Sequence, residues 1–239
     1  MRPAMTRTLA AVAMLSLAGA ASGQKPNITG KYQVKGVGGD GARYTGTASI
    51  SLMGGEMYNV TWTLGTKGYV GVCFRDEPAL SCSSCPAGPS RSIPTVLSYV
   101  ASATALDGVW IEGGNTRIGK ELLTPRGKAD KRTFAGDYVI KGSNPDGSAY
   151  TGTAGVTQLY AVSAYAYDFN WLIGTSRRLH GVGVRSQARD VISAGFCEGG
   201  KENTALDYTI GRDGKTLTGA FVMSTNGRVS TGTESLTRI

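Results

Sequence analysis

A run near the start of the chain returns about half-way along it. Gly30-Lys31-Tyr32-Gln33-Val34-Lys35-Gly36, followed by Asp40-Gly41-Ala42-Arg43-Tyr44-Thr45-Gly46-Thr47-Ala48, comes back as Gly136-Asp137-Tyr138-Val139-Ile140-Lys141-Gly142 and Asp146-Gly147-Ser148-Ala149-Tyr150-Thr151-Gly152-Thr153-Ala154, at an ungapped offset of 106 residues. Tyr58-Asn59-Val60-Thr61-Trp62 answers Tyr167-Asp168-Phe169-Asn170-Trp171 at an offset of 109. Gly71-Val72 answers Gly181-Val182, and Leu106-Asp107-Gly108-Val109-Trp110 answers Leu217-Thr218-Gly219-Ala220-Phe221. Gly119-Lys120-Glu121-Leu122-Leu123-Thr124 answers Gly232-Thr233-Glu234-Ser235-Leu236-Thr237. The offset only grows, so the copies differ by loop-sized insertions in the second. Self-similarity of this kind marks repeated structural units. Copy one spans residues 24–125 and copy two residues 134–239. The charged stretch between them, residues 126–133, has the composition of a linker.

Inside each copy the apolar residues alternate with period two, the signature of a half-buried strand. Tyr58, Val60, Trp62 and Leu64 share one face, as do Tyr167, Phe169, Trp171 and Ile173. Tyr44, Ala48, Ile50 and Leu52 oppose Thr45, Thr47 and Ser49 in the same way. Asp40-Gly41, Asp146-Gly147, Asp213-Gly214 and Asn226-Gly227 are hairpin turn signals. About eight short strands fit in each copy, and nothing after the first twenty-odd residues carries a helical stripe. The expected class is all-β: two tandem antiparallel meander units, each a small barrel of about eight strands or a barrel-like sandwich. Closure removes the exposed edges that a short meander would otherwise leave.

The chain opens with Arg2 and Arg7, no acidic residue, an uncharged run from Leu9 to Ala21, and small residues through Gly23. That is the three-part pattern of a secretory signal peptide, predicted over residues 1–23. Its apolar run is shorter than the ~20 residues that cross a bilayer, and no later segment is apolar enough to be transmembrane. Removing it lowers the net charge from +8 to +6, because two basic residues leave and no acidic one does. The charges are scattered and export removes most nucleic-acid partners, so the basic balance reads as solubility. The expected location is the periplasm or the outside of the cell.

The run G-x-Y-x-V/I-x-G, D-G-x-x-Y-x-G-T-A, a Trp strand, L-x-G-x-W/F and G-x-E-x-L-T resembles a family of exported bacterial tandem-repeat β-proteins. Some of its members carry the name fibronectin-binding protein. The L-x-G-x-W/F strand is also similar, more faintly, to one in avidin-like and lipocalin-like barrels. The resemblance covers nearly all of the mature chain and implies export and a barrel-like unit. It carries no set of functional residues.

Few residues offer chemistry. There is a single histidine, His180, among 239 residues; hydrolytic triads and most zinc sites use this residue, and His180 reads as a surface or strand-edge group. Glu121 and Glu234 recur at equivalent positions, but one carboxylate per unit in a Thr-rich strand reads as solvated or paired with Arg. No phosphate loop or nucleophile elbow occurs. Cys82-Ser83-Ser84-Cys85 is a C-x-x-C, yet the setting is a loop between strands, not the helix N-terminus that activates such a thiol. In an exported chain the four cysteines are expected to form disulfides. Cys73 ends one strand and Cys82 begins the next, so these two are expected to face each other. Cys85 and Cys197 occupy matching positions of the two copies and would form a bridge between them.

The aromatic row Tyr58, Trp62, Tyr167 and Trp171 either fills the barrels or lines a ligand cavity. These four are the candidate binding residues. The expected function is therefore non-enzymatic: an exported binding or adhesion module whose partner is a matrix protein or a surface glycan. The alternative is a carrier of a small apolar ligand at the barrel mouth, which requires a cavity beside the Trp strands. A Cys-dependent metal or redox protein ranks below both. No metal or cofactor is expected.

Overall fold

The computed structural model describes residues 25–88, 92–102, 104–127, 130, 132–187 and 189–239. The predicted signal peptide, residues 1–23, lies outside them. The described residues form sixteen antiparallel strands arranged as two closed eight-stranded barrels. None of them forms a helix long and apolar enough to cross a membrane.

The first barrel takes β1 (Gly30–Val37), β2 (Arg43–Gly54), β3 (Met57–Leu64), β4 (Lys67–Asp76) and β5 (Ala79–Pro86) from the first copy. It is completed by β14 (Glu202–Ile210), β15 (Thr216–Thr225) and β16 (Arg228–Arg238) from the end of the second. The hydrogen-bonded order is β1-β16-β15-β14-β5-β4-β3-β2. The second barrel contains β6 (Ile93–Ala101), β7 (Leu106–Glu112) and β8 (Gly119–Pro125), then β9 (Gly136–Ser143), β10 (Ala149–Gln158), β11 (Ala166–Ile173), β12 (Arg177–Arg185) and β13 (Val191–Glu198). Its order is β10-β11-β12-β13-β6-β7-β8-β9.

Sequence units and barrels therefore do not coincide. Residues 24–125 and 134–239 were expected each to close on themselves; instead each copy gives five strands to one barrel and three to the other. The stretch 126–133, read as an interdomain linker, joins β8 to its ladder partner β9 within the second barrel. The chain changes barrels between Pro86 and Ile93 and again between Glu198 and Glu202. The physical reason lies in the duplication. The sixth strand of either copy offers the fifth strand the same pattern, Leu97-Ser98-Tyr99 or Leu206-Asp207-Tyr208. Exchange satisfies the same ladders as self-closure and adds a buried seam between the barrels.

That seam is two-fold in character. Met57, Val72, Val96 and Ile111 form one buried apolar cluster; Ala166, Val182, Ala205 and Val222, their counterparts in the other copy, belong to a second. Between them runs a buried hydroxyl chain. Ser81 donates to Ser98 at 3.1 Å, and Ser193 donates to Ser81 at 2.7 Å and lies 3.1 Å from Asp207. β5 and β13 are consequently buried on both faces from Ala79 to Cys85 and from Val191 to Cys197. Both expected disulfides are present. Cys73–Cys82 crosses between β4 and β5 inside the first barrel, and Cys85–Cys197 joins the barrels across the seam. Such bonds suit an oxidising compartment.

One end of each barrel is stoppered. Tyr32 donates its hydroxyl to the Ile28 carbonyl at 2.7 Å, and Tyr138 to the Phe134 carbonyl at 2.6 Å, folding the entering chain over the core. The turn signals form as predicted: Gly41, Gly147, Gly214 and Gly227 all have φ between 67° and 89°. One small departure is Leu52, which keeps the inward parity of Ile50 but is 56% exposed beside a register shift at the end of β2.

Candidate functional site

The repeated motifs converge on one row of residues in each barrel. In the first, Tyr44, Gly36, Glu234, Gly219 and Tyr208 are successive ladder partners across β2, β1, β16, β15 and β14. In the second, Tyr150, Gly142, Glu121, Gly108 and Tyr99 follow one another across β10, β9, β8, β7 and β6. The glycines are required there. A Cβ on Gly36 would stand 2.1 Å from the Tyr44 ring, and on Gly142 2.2 Å from the Tyr150 ring. Only a bare backbone lets each tyrosine lie across its neighbouring strand and reach the carboxylate beyond it.

The carboxylate at the centre is buried, 6% exposed for Glu234 and 3% for Glu121, which corrects the reading of both as solvated or Arg-paired. Glu234 accepts from the Tyr44 hydroxyl at 2.9 Å, from the Trp62 indole N–H at 3.2 Å and from the Tyr208 hydroxyl. Glu121 accepts from Tyr150 at 2.9 Å and from Tyr99, and the Trp171 indole donates to the Tyr99 hydroxyl at 3.2 Å. Burial raises the pKa of both carboxyls, and the tyrosine and indole donors pull the other way. Burial and the adjoining carboxylate raise Tyr44, Tyr99, Tyr150 and Tyr208 as well, so all four hydroxyls stay protonated and donate. Each network is composite: Tyr44 and Trp62 come from copy one and Tyr208 and Glu234 from copy two, with the reverse in the second barrel.

Above this shared frame the barrels differ. The first opens into a cavity of about 510 Å³ floored by Tyr44, Trp62 and Glu234 and walled by Leu64, Leu206, Phe221 and Met223. The equivalent space in the second barrel is about 150 Å³. Larger side chains in the second copy go with the loss, among them Trp110 at the position of Phe221. Phe169 stands where the first barrel has Val60, and Phe196 stands where it has Ser84. Tyr99, Phe169, Trp171 and Phe196 then fill the interior as a continuous aromatic series, with ring centroids 5.9, 5.1 and 5.7 Å apart. In the first barrel the Cys73–Cys82 bridge takes the place of Gly183 and Ala194, which face each other in the second.

Of the four candidate residues, Trp62 and Trp171 line the two spaces. Tyr58 and Tyr167 are buried in the cores and line neither; Tyr58 accepts from the Arg75 guanidinium at 3.3 Å. Sequence reasoning missed Tyr99 and Tyr208, although Leu97-x-Tyr99 and Leu206-x-Tyr208 recur at an offset of 109. His180 lies on the outer face of the second barrel, 2.7 Å from Asp168, away from both mouths. Among the described residues no three His, Cys, Asp or Glu side chains gather to hold a metal. Comparison of the chain with family models, with curated proteins and with solved structures finds no match.

Proposed function

We propose that this is an exported binding protein whose first barrel holds one small, predominantly apolar molecule, while the second barrel is a filled scaffold on the same frame. The observation that carries this reading is the difference between two equivalent spaces in one chain. A cavity of about 510 Å³ falls in the range of small-ligand sites, roughly 300–1,000 Å³. The same frame can be packed shut, as the second barrel demonstrates with 150 Å³. The open interior is therefore not a by-product of the fold. A protein with two equivalent adhesive surfaces gives no reason for the mouths to diverge, so the carrier reading is preferred to adhesion.

Native mass spectrometry of the protein recovered from its producing cells tests this. The expected spectrum shows one small-molecule adduct per chain that is lost on denaturation and is missing from Ser84→Phe, which places in the first barrel the ring that fills the second. Two adducts per chain, or an adduct retained in Ser84→Phe, would put the ligand elsewhere. A bare chain in both would return the adhesive reading to first place.

A further inference from the structure

The two mouths differ in charge as well as in volume, and the second barrel serves as the control. Arg43, at the rim of the open cavity, has Ala149 as its counterpart. Lys67, also at that rim, corresponds to Arg177, whose guanidinium is bound to both oxygens of Glu198 at 3.0 and 3.1 Å. Pro86 occupies the position of Glu198 in the first barrel, so Lys67 has no such partner. Met223 in the wall replaces Glu112, a carboxylate that lines the second mouth. Relative to the filled barrel, the open one has gained Arg43, lost the carboxylate that neutralises the counterpart of Lys67, and lost Glu112, while Ser230 in its lining stands where the second barrel has Arg117. Neither Arg43 nor Lys67 pairs with a carboxylate among the described residues.

The remaining acids near the site each accept at least one hydrogen bond, although Glu202, beside Tyr69 of the cavity wall, keeps one buried oxygen without a partner. Asp40 accepts from the Ala42 amide at 2.9 Å in its own turn, as Asp146 does from Ser148 at 2.9 Å in the second barrel. Glu202, whose counterpart is Ile93, is not among the cavity-lining residues and takes the Thr225 hydroxyl at 3.2 Å. Glu234 is met by three donors, and Glu121 holds an equivalent network where there is little room for a ligand. The buried carboxylate thus belongs to the frame, and what sets the open cavity apart is Met223 in its wall and two rim cations without a carboxylate partner.

We propose that the ligand of the first barrel is an organic anion, with its apolar body against Trp62 and Phe221 and its charged group at the rim between Arg43 and Lys67. This rests on the first barrel being the binding one. An exposed ion pair contributes up to about 1 kcal/mol, so two favour an anion over its neutral analogue by roughly five- to thirtyfold at low salt.

The probes are 8-anilinonaphthalene-1-sulfonate and N-phenyl-1-naphthylamine, which share a ring system and differ by the sulfonate. Both are titrated into the folded, oxidised protein by fluorescence. The expected result is one site per chain, with the sulfonate bound about five- to thirtyfold tighter than the amine. Added salt should narrow that gap, because exposed charges are screened. Arg43→Ser with Lys67→Ser should bring the ratio of the two affinities to about one by weakening the sulfonate more than the amine, with the melting temperature confirming that the variant folds. Equal affinities, or a tighter amine, at a site that Ser84→Phe closes would overturn the anion proposal and leave the cavity reading in place. Binding of neither probe would overturn the cavity reading itself, and the proposal with it.

Discussion

Glu121 and Glu234 are carboxyls placed where ionisation is disfavoured, and this has a direct effect on stability. Burial is the largest influence on both and lifts their pKa above the ordinary carboxylate value, against the pull of the tyrosine donors. A proton is then held in the folded state at a pH where the unfolded chain has released it. The associated stability is complete below the unfolded pKa and is lost as pH rises through the raised folded values. Urea midpoints should therefore fall as pH rises above the ordinary carboxylate range, and Glu121→Gln with Glu234→Gln should flatten that fall. A slope that survives the double substitution would assign it to other groups. The glycines beside these carboxyls make a sharper test of the frame. Gly142→Ala places a methyl 2.2 Å from the Tyr150 ring, which must leave its carboxylate; the expected cost is about 2–4 kcal/mol. Gly155→Ala, one strand along, meets its nearest atom at 3.7 Å and should change stability by less than about 0.5 kcal/mol. Chemical denaturation of the two variants separates them; equal costs would remove the row of glycines from the account.

At the scale of strands, what could be read from the sequence was what is local. Alternation in Tyr58–Leu64 and Tyr167–Ile173 shows which side chains point inward, and Asp-Gly and Asn-Gly pairs mark the turns. The facing of Cys73 and Cys82 follows from strand ends nine residues apart. The carboxylate networks were not legible, because a motif such as G-x-E-x-L-T does not reveal that its Glu will stand between two glycines of other strands. Those ladder partners lie as far away as Gly36 and Glu234. Cys82-Ser83-Ser84-Cys85, expected in a loop between strands, lies inside β5, and only the partner barrel turns the outer side of that strand into an interior. The two disulfides act on these different ranges. Cys85–Cys197 spans 112 residues and Cys73–Cys82 spans nine, so the loop-closure estimate is roughly 5 kcal/mol for the first and about 2.5 for the second. Denaturant titration of Cys85→Ser with Cys197→Ser, beside Cys73→Ala with Cys82→Ala, should therefore show the greater loss in the pair that joins the barrels. The reverse order would mean that the interior bridge contributes chiefly through packing.

For the whole molecule, the exchange of strands decides what holds the two halves together. If each copy closed on itself, the connection through residues 126–133 would be the principal tie between two separable bodies. In the observed arrangement that connection is one hairpin loop of the second barrel, and every barrel needs strands from both copies. β5 pairs with β14 and β13 pairs with β6, so two complete ladders cross between the copies at the seam. The β1–β16 and β8–β9 ladders close the two barrels and cross between the copies as well. A protease site introduced between Gly127 and Arg132, cleaved in the folded protein, should consequently leave one particle of unchanged elution volume. Reduction of Cys85–Cys197 should not release the fragments without denaturant, since four ladders and the seam remain. Under denaturing, non-reducing conditions the two pieces should still migrate together through that bridge. Separation into two folded halves after cleavage and reduction would show that the copies close independently, and the composite carboxylate networks would then have to form within each copy, from Tyr44 with Glu121 and from Tyr150 with Glu234.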